Sequence, residues 1–289
     1  MNSAKDWFQC AKKEGFAIGA FNIDSLDIFK AVMVAAQNKK SPVMLEFSPG
    51  EVKYFGLRNV VDMVVNAREE YKIPILLNLD HGRPIELCME AIEQPGFDNI
   101  HFDGSDSEFE ENVKETKKVV EAAHKKGLLV EGEIDKVSGS SEKHDEDVNV
   151  EQLKDSYTKP EKAFKFVQST GVDILAPVFG NIHGTFPTQP NLDIGLLTRI
   201  AQAVPETFLS LHGGSGIPAS QVKEAINLGK IVKVNVNTEL RVAYRDALSE
   251  ELGETPNEYK VYEIADDVIL AVASVVEGKI DIFGSAGKA

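Results

Sequence analysis

Residues 73–82 read Ile73-Pro-Ile-Leu-Leu-Asn-Leu-Asp80-His81-Gly82. The apolar part is too short for a helix, and it ends in a carboxylate, an imidazole and a glycine. A near-continuous apolar run of this length is the mark of a parallel strand buried on both faces. Seven other runs share that character: Phe16–Phe21, Val43–Phe47, Asn99–Phe102, Leu128–Ile134, Ile174–Phe179, Phe208–Leu211 and Ile231–Val236. Helix-period segments lie between them. Ser25–Asn38 opens on a capping serine and repeats apolar residues at Ile28, Phe29, Val32, Ala35 and Ala36. Ser107–Lys126 carries Phe109, Val113, Val119, Val120 and Ala123, and Ser220–Leu228 follows a proline. Eight strands alternating with helices predict a parallel sheet, and eight units predict closure into one (β/α)8 TIM barrel of α/β class over residues 1–289. An open doubly wound sheet would carry a G-x-G-x-x-G turn after its first strand, and Phe21-Asn-Ile-Asp24 is not one.

The chain's 289 residues suit one such barrel, which typically needs about 250. With 43% hydrophobic and 27% charged residues the chain can fill a sizeable core. A net charge of −15 argues against nucleic acid and anionic membranes as partners. No apolar run approaches the roughly 18 residues of a membrane span. Met1–Gly15 is charged and lacks the apolar core of a signal peptide. Cys10 and Cys88 form no C-x-x-C pair, so neither a thiolate zinc site nor a disulfide is expected, and a cytoplasmic location is. An apolar helical segment around 257–277, with Tyr259–Val276 suited to subunit packing, fits a homodimer or homotetramer.

Six consecutive runs lead into polar groups: Asp80-His81, Asp103-Gly-Ser105, Glu131-Gly-Glu133, His183-Gly184, His212-Gly-Gly-Ser215-Gly and Asn235-Val-Asn237-Thr238. Folding alone does not require this, and in a barrel these ends surround one space at the C-terminal face. Of the six histidines, His81, His183 and His212 stand at strand ends, whereas His101, His124 and His144 do not. Three imidazoles with Glu133 form a suitable donor set for Zn2+. Asp80, beside His81, is placed to act as a general base near the ion, or to orient the histidine. The glycine-rich turn at Gly213, with Ser215 and Thr238, follows the seventh and eighth runs, where barrels often bind phosphate through backbone N–H groups. Two long connections, Asp135–Lys159 and Gly180–Asn191, fall on the same face, and loops of that length are usually functional.

These strings resemble the class II, metal-dependent aldolases that cleave fructose 1,6-bisphosphate or tagatose 1,6-bisphosphate. Gly19-Ala-Phe-Asn22, Ser48-Pro-Gly and Lys53-Tyr54 look like the family's opening. Leu79-Asp-His-Gly82, Phe102-Asp-Gly-Ser105, Phe109-Glu-Glu-Asn-Val113 and Val130-Glu-Gly-Glu133 continue it. Leu211-His-Gly-Gly-Ser-Gly-Ile-Pro218, Val234-Asn-Val-Asn-Thr238 and Phe283-Gly-Ser-Ala-Gly-Lys-Ala289 complete a match that runs end to end. The resemblance implies that a sugar phosphate is split at C3–C4 to give dihydroxyacetone phosphate and an aldehyde. It implies His81, His183 and His212 as zinc ligands, Glu133 as a further ligand, Asp103 and Glu133 at an alternative metal position, and Asp80 as the acid/base at the C4 hydroxyl. Gly184, Gly213, Ser215, Asn235, Asn237 and Thr238 match the cradle of the ketose-end phosphate, beside a monovalent cation (Na+ or K+). Asn22 and Ser48 complete the substrate contacts.

Three departures bear on the far end of the substrate. The family's lysine beyond the sixth strand's His-Gly is missing from Thr185-Phe-Pro-Thr188. The loop after Glu133 reads Ile-Asp-Lys-Val-Ser-Gly-Ser-Ser-Glu142 rather than a Leu-Gly, Gly-Gly pattern. The Asp-Pro-Arg turn offered to a neighbouring subunit is Thr255-Pro-Asn257. Weak recognition of a distal phosphate follows, with Arg83, Arg241 and Arg245 as nearby cations. A metal-dependent barrel hydrolase would want a His-x-His pair that is absent, and a non-catalytic binding barrel would have no use for Asp80.

Overall fold

The computed structural model describes residues 3–289, and its elements follow the predicted alternation. In chain order they are α1 (Ala4–Glu14), β1 (Ile18–Asn22), α2 (Leu26–Lys39), β2 (Val43–Phe47), α3 (Pro49–Phe55), α4 (Leu57–Glu70), β3 (Ile75–Gly82) and α5 (Ile85–Glu93). There follow β4 (Asn99–Asp103), α6 (Phe109–Lys125), β5 (Leu129–Glu133), β6 (Gly139–Lys143), α7 (Val150–Leu153), α8 (Pro160–Thr170), β7 (Ile174–Ala176) and β8 (His183–Thr185). The last are α9 (Ile194–Ala203), β9 (Phe208–Leu211), α10 (Ala219–Gly229), β10 (Ile231–Val236), α11 (Thr238–Glu254) and α12 (Val261–Phe283). Eight strands close a parallel barrel in the order β1-β10-β9-β7-β5-β4-β3-β2. The eight predicted runs are these eight strands. The sixth run stops at Ala176 because Pro177 has no N–H to continue the ladder.

Alternation along each strand sorts residues between two cores. Odd-facing side chains such as Phe21, Leu45, Leu77 and Leu211 meet the outer helices. Ile18, Met44, Leu76, Leu129, Phe208 and Val232 point inward and fill the barrel's lower end, where Trp7, Phe8 and Ala11 of α1 plug it. The sequence reading saw only charge in this first segment. Its apolar stripe faces the barrel, and Ser3 caps it by accepting from the Asp6 N–H.

Further along the same inward faces the interior turns polar; Lys233 joins it although it directly follows the inward Val232, because the register of β10 shifts between Ile231 and Lys233. Lys233 Nζ lies 2.7 Å from Glu46 Oε1 and 2.7 Å from Glu131 Oε2, with all three side chains fully buried. Asn78 donates to Glu46, and Asn99 donates to Asn78 and Glu131. Burial, and then the nearby Asp80 charge, pushes Glu46 up to about 8. Burial would also raise Glu131, but Lys233 holds it well below the carboxylate range. At neutral pH the ion pair is therefore Lys233 with Glu131.

A second sheet was not anticipated. β6 pairs in parallel with β8, so the two long connections after β5 and β7 are bonded together over the barrel top. The His144 ring stacks on Phe186 at 4.2 Å and Asp147 accepts from the Thr188 N–H, fastening the same flap. The C-terminal helix α12 packs along α2 and α11. Among the described residues, no helix is long and apolar enough to cross a membrane.

Lys233→Met is expected to destabilise the fold by about 3–5 kcal/mol, because it strands a buried carboxylate. Chemical denaturation followed by circular dichroism measures it, and a loss below about 1 kcal/mol would contradict a paired interior.

Candidate active site

The inward faces that carry the polar middle continue to the barrel's C-terminal mouth. Stepping by two takes Leu76 to Asn78 and Asp80, Leu129 to Glu131 and Glu133, and Phe208 to Ser210 and His212. Every residue singled out from the sequence as a candidate lines one cavity of about 280 Å3. The donors there are Asp80, His81, Asp103, Glu133, His183 and His212; the cradle side adds Gly184, Gly213, Ser215, Asn235, Asn237 and Thr238; Asn22 and Ser48 stand at the ends of β1 and β2, beside β10.

Asp80 and His81 are neighbours on one strand and should face opposite ways. They converge because β3 is irregular there: its register to β4 shifts between Leu79 and Gly82, and His81 adopts a left-handed φ of 47°. This conformation costs a non-glycine residue roughly 1–3 kcal/mol and persists only where surrounding bonds enforce it. The His81 N–H donates to His101 Nδ1 at 3.0 Å, and His81 Nδ1 bonds Asp103 Oδ2 at 2.9 Å. Asp103 is in turn held by Arg83 and by the Ser105 hydroxyl.

These bonds assign the imidazole tautomers. His212 Nε2 is 2.9 Å from Glu131 Oε1, so it carries the proton and leaves Nδ1 bare. His81 Nε2 faces that Nδ1 at 3.1 Å. Burial would lower the His81 pKa, but the Asp80 charge and the Asp103 bond push it up to about 10. The His81 proton therefore fills the gap between the two nitrogens. A divalent cation in its place would meet two lone pairs already aimed at it, so the donor set fits a metal. Burial lowers His212 to about 4, and burial with the His81 charge lowers His183 to about 3, so both are neutral imidazoles, the form that binds metals.

Donor atoms of Asp80, His81, His101 and His212 lie within 4.8 Å of one another, as do those of His81, Asp103 and Glu133. His183 is nearby, with its ring centroid 5.1 Å from that of His81, but it falls outside both sets. His101 was set aside from the sequence because it is not at a strand end, and this needs correcting. It is fully buried, with its ring 4.6 Å from His81 and 4.9 Å from His212. The available signal was the two-residue period, since His101 shares its face of β4 with Asp103. Its Nδ1 accepts from His81, so its Nε2 holds the proton, 3.6 Å from Glu133 Oε2. Neither atom has a closer hydrogen-bonding partner. Asn112 of α6 donates to the Glu133 carbonyl and fixes that strand end. Burial, and then the Asp103 charge, pushes Glu133 up to about 8.

Asp80 is 4% exposed. Asn22 donates to its Oδ2 at 3.1 Å and Asn235 to its Oδ1 at 3.2 Å. Burial would raise its pKa, but the adjacent His81 cation holds it well below the usual range. Opposite, Gly213 turns with φ 65°, and a β-carbon there would stand 2.1 Å from the Ile182 carbonyl oxygen. That turn, Ser215 and the first residue of the 17-residue α11, Thr238, border the cavity together. Lys136, Val137, Gly139 and Ser141 also line it and were not singled out; of the cations named for the far end, Arg241 lines the cavity, whereas Arg245 is exposed on α11.

A parallel barrel whose mouth gathers four imidazoles and two further carboxylates around a deeply buried, ionised aspartate, opposite a glycine-rich turn, defines a class of metal-dependent TIM-barrel enzyme. The family profile described as "Fructose-bisphosphate aldolase class-II" matches residues 2–288, and the chain belongs to that family. It is 39% identical over 292 residues to the fructose-bisphosphate aldolase of Geobacillus stearothermophilus, covering 99% of this chain and 98% of that one. It is 36% identical over 302 residues to the fructose-bisphosphate aldolase of Thermus caldophilus, covering 96% of each. The solved structure of the YdjI aldolase from Escherichia coli K12 superposes with a TM-score of 0.83 at 32% identity, over 99% of this chain and 98% of that one. The protein is accordingly a class II aldolase, a carbon–carbon lyase of carbohydrate metabolism from a family that acts on sugar phosphates.

Gly139 has φ 91°, and a β-carbon there would lie 2.2 Å from the His183 carbonyl oxygen. Gly139→Ala should therefore detach β6 from β8 while leaving the barrel folded. Limited proteolysis should cut within residues 138–149 faster than in the parent, with the thermal midpoint little changed. Equal cleavage rates would contradict the need for glycine.

Proposed function

We propose that this aldolase makes and breaks the C3–C4 bond of a ketose phosphate or bisphosphate of the fructose 1,6-bisphosphate type, with dihydroxyacetone phosphate as the ketone half. The observation that carries this reading is the ionised Asp80, fixed by Asn22 and Asn235 beside the facing nitrogens of His81 and His212. In cleavage, the Asp80 carboxylate takes the C4 hydroxyl proton. The C4–O electron pair forms the aldehyde carbonyl as C3–C4 breaks. The pair from that bond passes into the C2 carbonyl as an enediolate, and a proton returned to C3 completes the ketone half. Zn2+, held by His81, His183 and His212 with Glu133 and Asp103 at an adjoining position, would supply the positive charge that stabilises oxygen at C2.

Gly184, Gly213, Ser215 and Thr238 hold the ketose-end phosphate in this reading, at the N-terminus of α11. The Asn235 and Asn237 amide oxygens are buried acceptors with no partner. Phosphate oxygens cannot satisfy acceptors, so these two atoms support a monovalent cation, Na+ or K+, beside the phosphate. The free thiols of Cys10 and Cys88 support a cytoplasmic enzyme. The exposed apolar groups of Tyr259, Val261 and Tyr262 support a homodimer or homotetramer. A place in glycolysis accords with the reaction.

Purified protein should hold about one zinc per chain, and EDTA should abolish its activity. Metal-free protein with EDTA-resistant aldol cleavage would sink the reading. Asp80→Ala should keep its zinc and lose about 100-fold or more in turnover, the scale of a lost general base. His212→Ala should instead lose metal, measured by plasma emission. If Asp80→Ala lost zinc and kept its rate per zinc, the two roles would have to be exchanged.

A further inference from the structure

From the charges that line the cavity we infer that the distal end of the aldehyde half is uncharged, so that the preferred ketose carries a single phosphate, at the ketose end. The inference rests on the aldolase reading above and narrows its substrate. Asp80, which takes the C4 hydroxyl proton in that reading, is bonded to Asn22, so the substrate beyond C4 would lie along the wall formed by Asn22 and Ser48. The far end therefore meets the residues after β1, β2 and β5.

Only two cationic side chains other than histidine line this cavity among the described residues, Lys136 and Arg241. Arg241 grows from α11, but its guanidinium lies at the far wall. Its Nε and Nη2 fork onto Asp24 at 2.5 and 3.0 Å, Nη2 also reaches Glu51 Oε1 at 3.2 Å, and Nη1 donates to the Ser141 carbonyl at 3.2 Å. These bonds use all but one of the guanidinium's donors. Lys136 is paired with Asp106 at 2.9 Å. Arg83 does not line the cavity and is bonded to Asp103, Asp106 and Ser105.

The wall is thus neutral in net charge where a second phosphate would have to sit. Burial, with the neighbouring Asp24, pushes Glu51 up to about 9, which leaves one carboxylate, Asp24, against one guanidinium. A dianion there would have to displace Asp24 from a forked pair and lie against its charge. Neutral hydroxyls meet a better match. Asn22 and Ser48 line the wall and offer an amide and a hydroxyl. Arg241 on this account is a structural clamp tying the β1, β2 and β5 loops together, and Asp24 acts on the substrate's charge only by occupying that guanidinium.

The test runs the zinc-loaded enzyme in the synthesis direction, with dihydroxyacetone phosphate and either D-glyceraldehyde or D-glyceraldehyde 3-phosphate. One charge-assisted bond to a phosphate is worth roughly 10- to 150-fold in binding. The kcat/KM ratio of the phosphorylated to the unphosphorylated aldehyde is expected below 1, and a ratio above 1 would overturn the inference. Absence of turnover with every aldehyde would instead overturn the aldolase reading beneath it. Asp24→Asn should release Arg241 and raise the ratio about 10-fold through KM for the phosphorylated aldehyde. An unchanged ratio in a folded Asp24→Asn enzyme would remove Asp24 from the role. If that variant does not fold, the ratio in the unaltered enzyme still decides the question.

Discussion

The site hangs on one buried carboxylate. Glu131 accepts from Lys233, Asn99, Ser210 and His212, and each bond settles something different. Lys233 keeps it ionised in a place where burial alone would protonate it. The ionised form then fixes the proton of His212 on Nε2 and turns Nδ1 toward the mouth. A neutral Glu131 would be a poorer acceptor, and the His212 ring would lose the bond that orients it. The buried pair brings little net stability by itself, because desolvation offsets most of the attraction. Its effect lies in specifying one arrangement of the groups above it.

A second constraint is the irregularity in β3. A regular strand would send Asp80 into the barrel and His81 into the helix layer. The left-handed His81 brings both into one pocket, enforced by the bonds to His101 and Asp103. The base and the metal-binding imidazole are thereby within one residue of each other, while their charges remain opposite. Asp80 stays ionised because the cation is adjacent, whether that cation is the His81 proton or a metal. His101 is the third party to this turn. It accepts from the His81 backbone N–H and leaves its own Nε2 unpartnered, 3.6 Å from the next carboxylate, Glu133.

The far wall follows a different logic from the mouth. At the mouth, charged groups are left with bare nitrogens or unpartnered oxygens, which is the condition for binding something. On the far wall, Arg241, Asp24 and Glu51 satisfy one another, and the guanidinium serves to join loops from three strands. The β6–β8 sheet adds to this closure, since the carbonyl that Arg241 holds belongs to Ser141 of β6. The two parts adjoin within one cavity, with Asn22 bonded to both Asp80 and Glu51.

Much of this was legible in the sequence. Eight apolar runs of strand length, alternating with helix periods, indicate a parallel sheet covered on both faces, and the count of eight without a G-x-G-x-x-G turn favours closure into a barrel over an open doubly wound sheet. The polar strand ends, from Asp80-His81 to Asn235-Val-Asn237-Thr238, could be placed at one mouth for the same reason. His101 was also within reach, since a two-residue step from Asp103 puts it inside. Other features were not, because they depend on partners that only closure brings together. Lys233 meets Glu46 and Glu131 across the barrel, α1 plugs an end far from its neighbours in sequence, and β6 finds β8 from a separate loop. The left-handed turn at His81 and the neutralised Arg241 belong with these. The two-residue period tells which face a side chain occupies; what stands opposite is decided by how the cylinder closes, and that is a property of the tertiary structure alone.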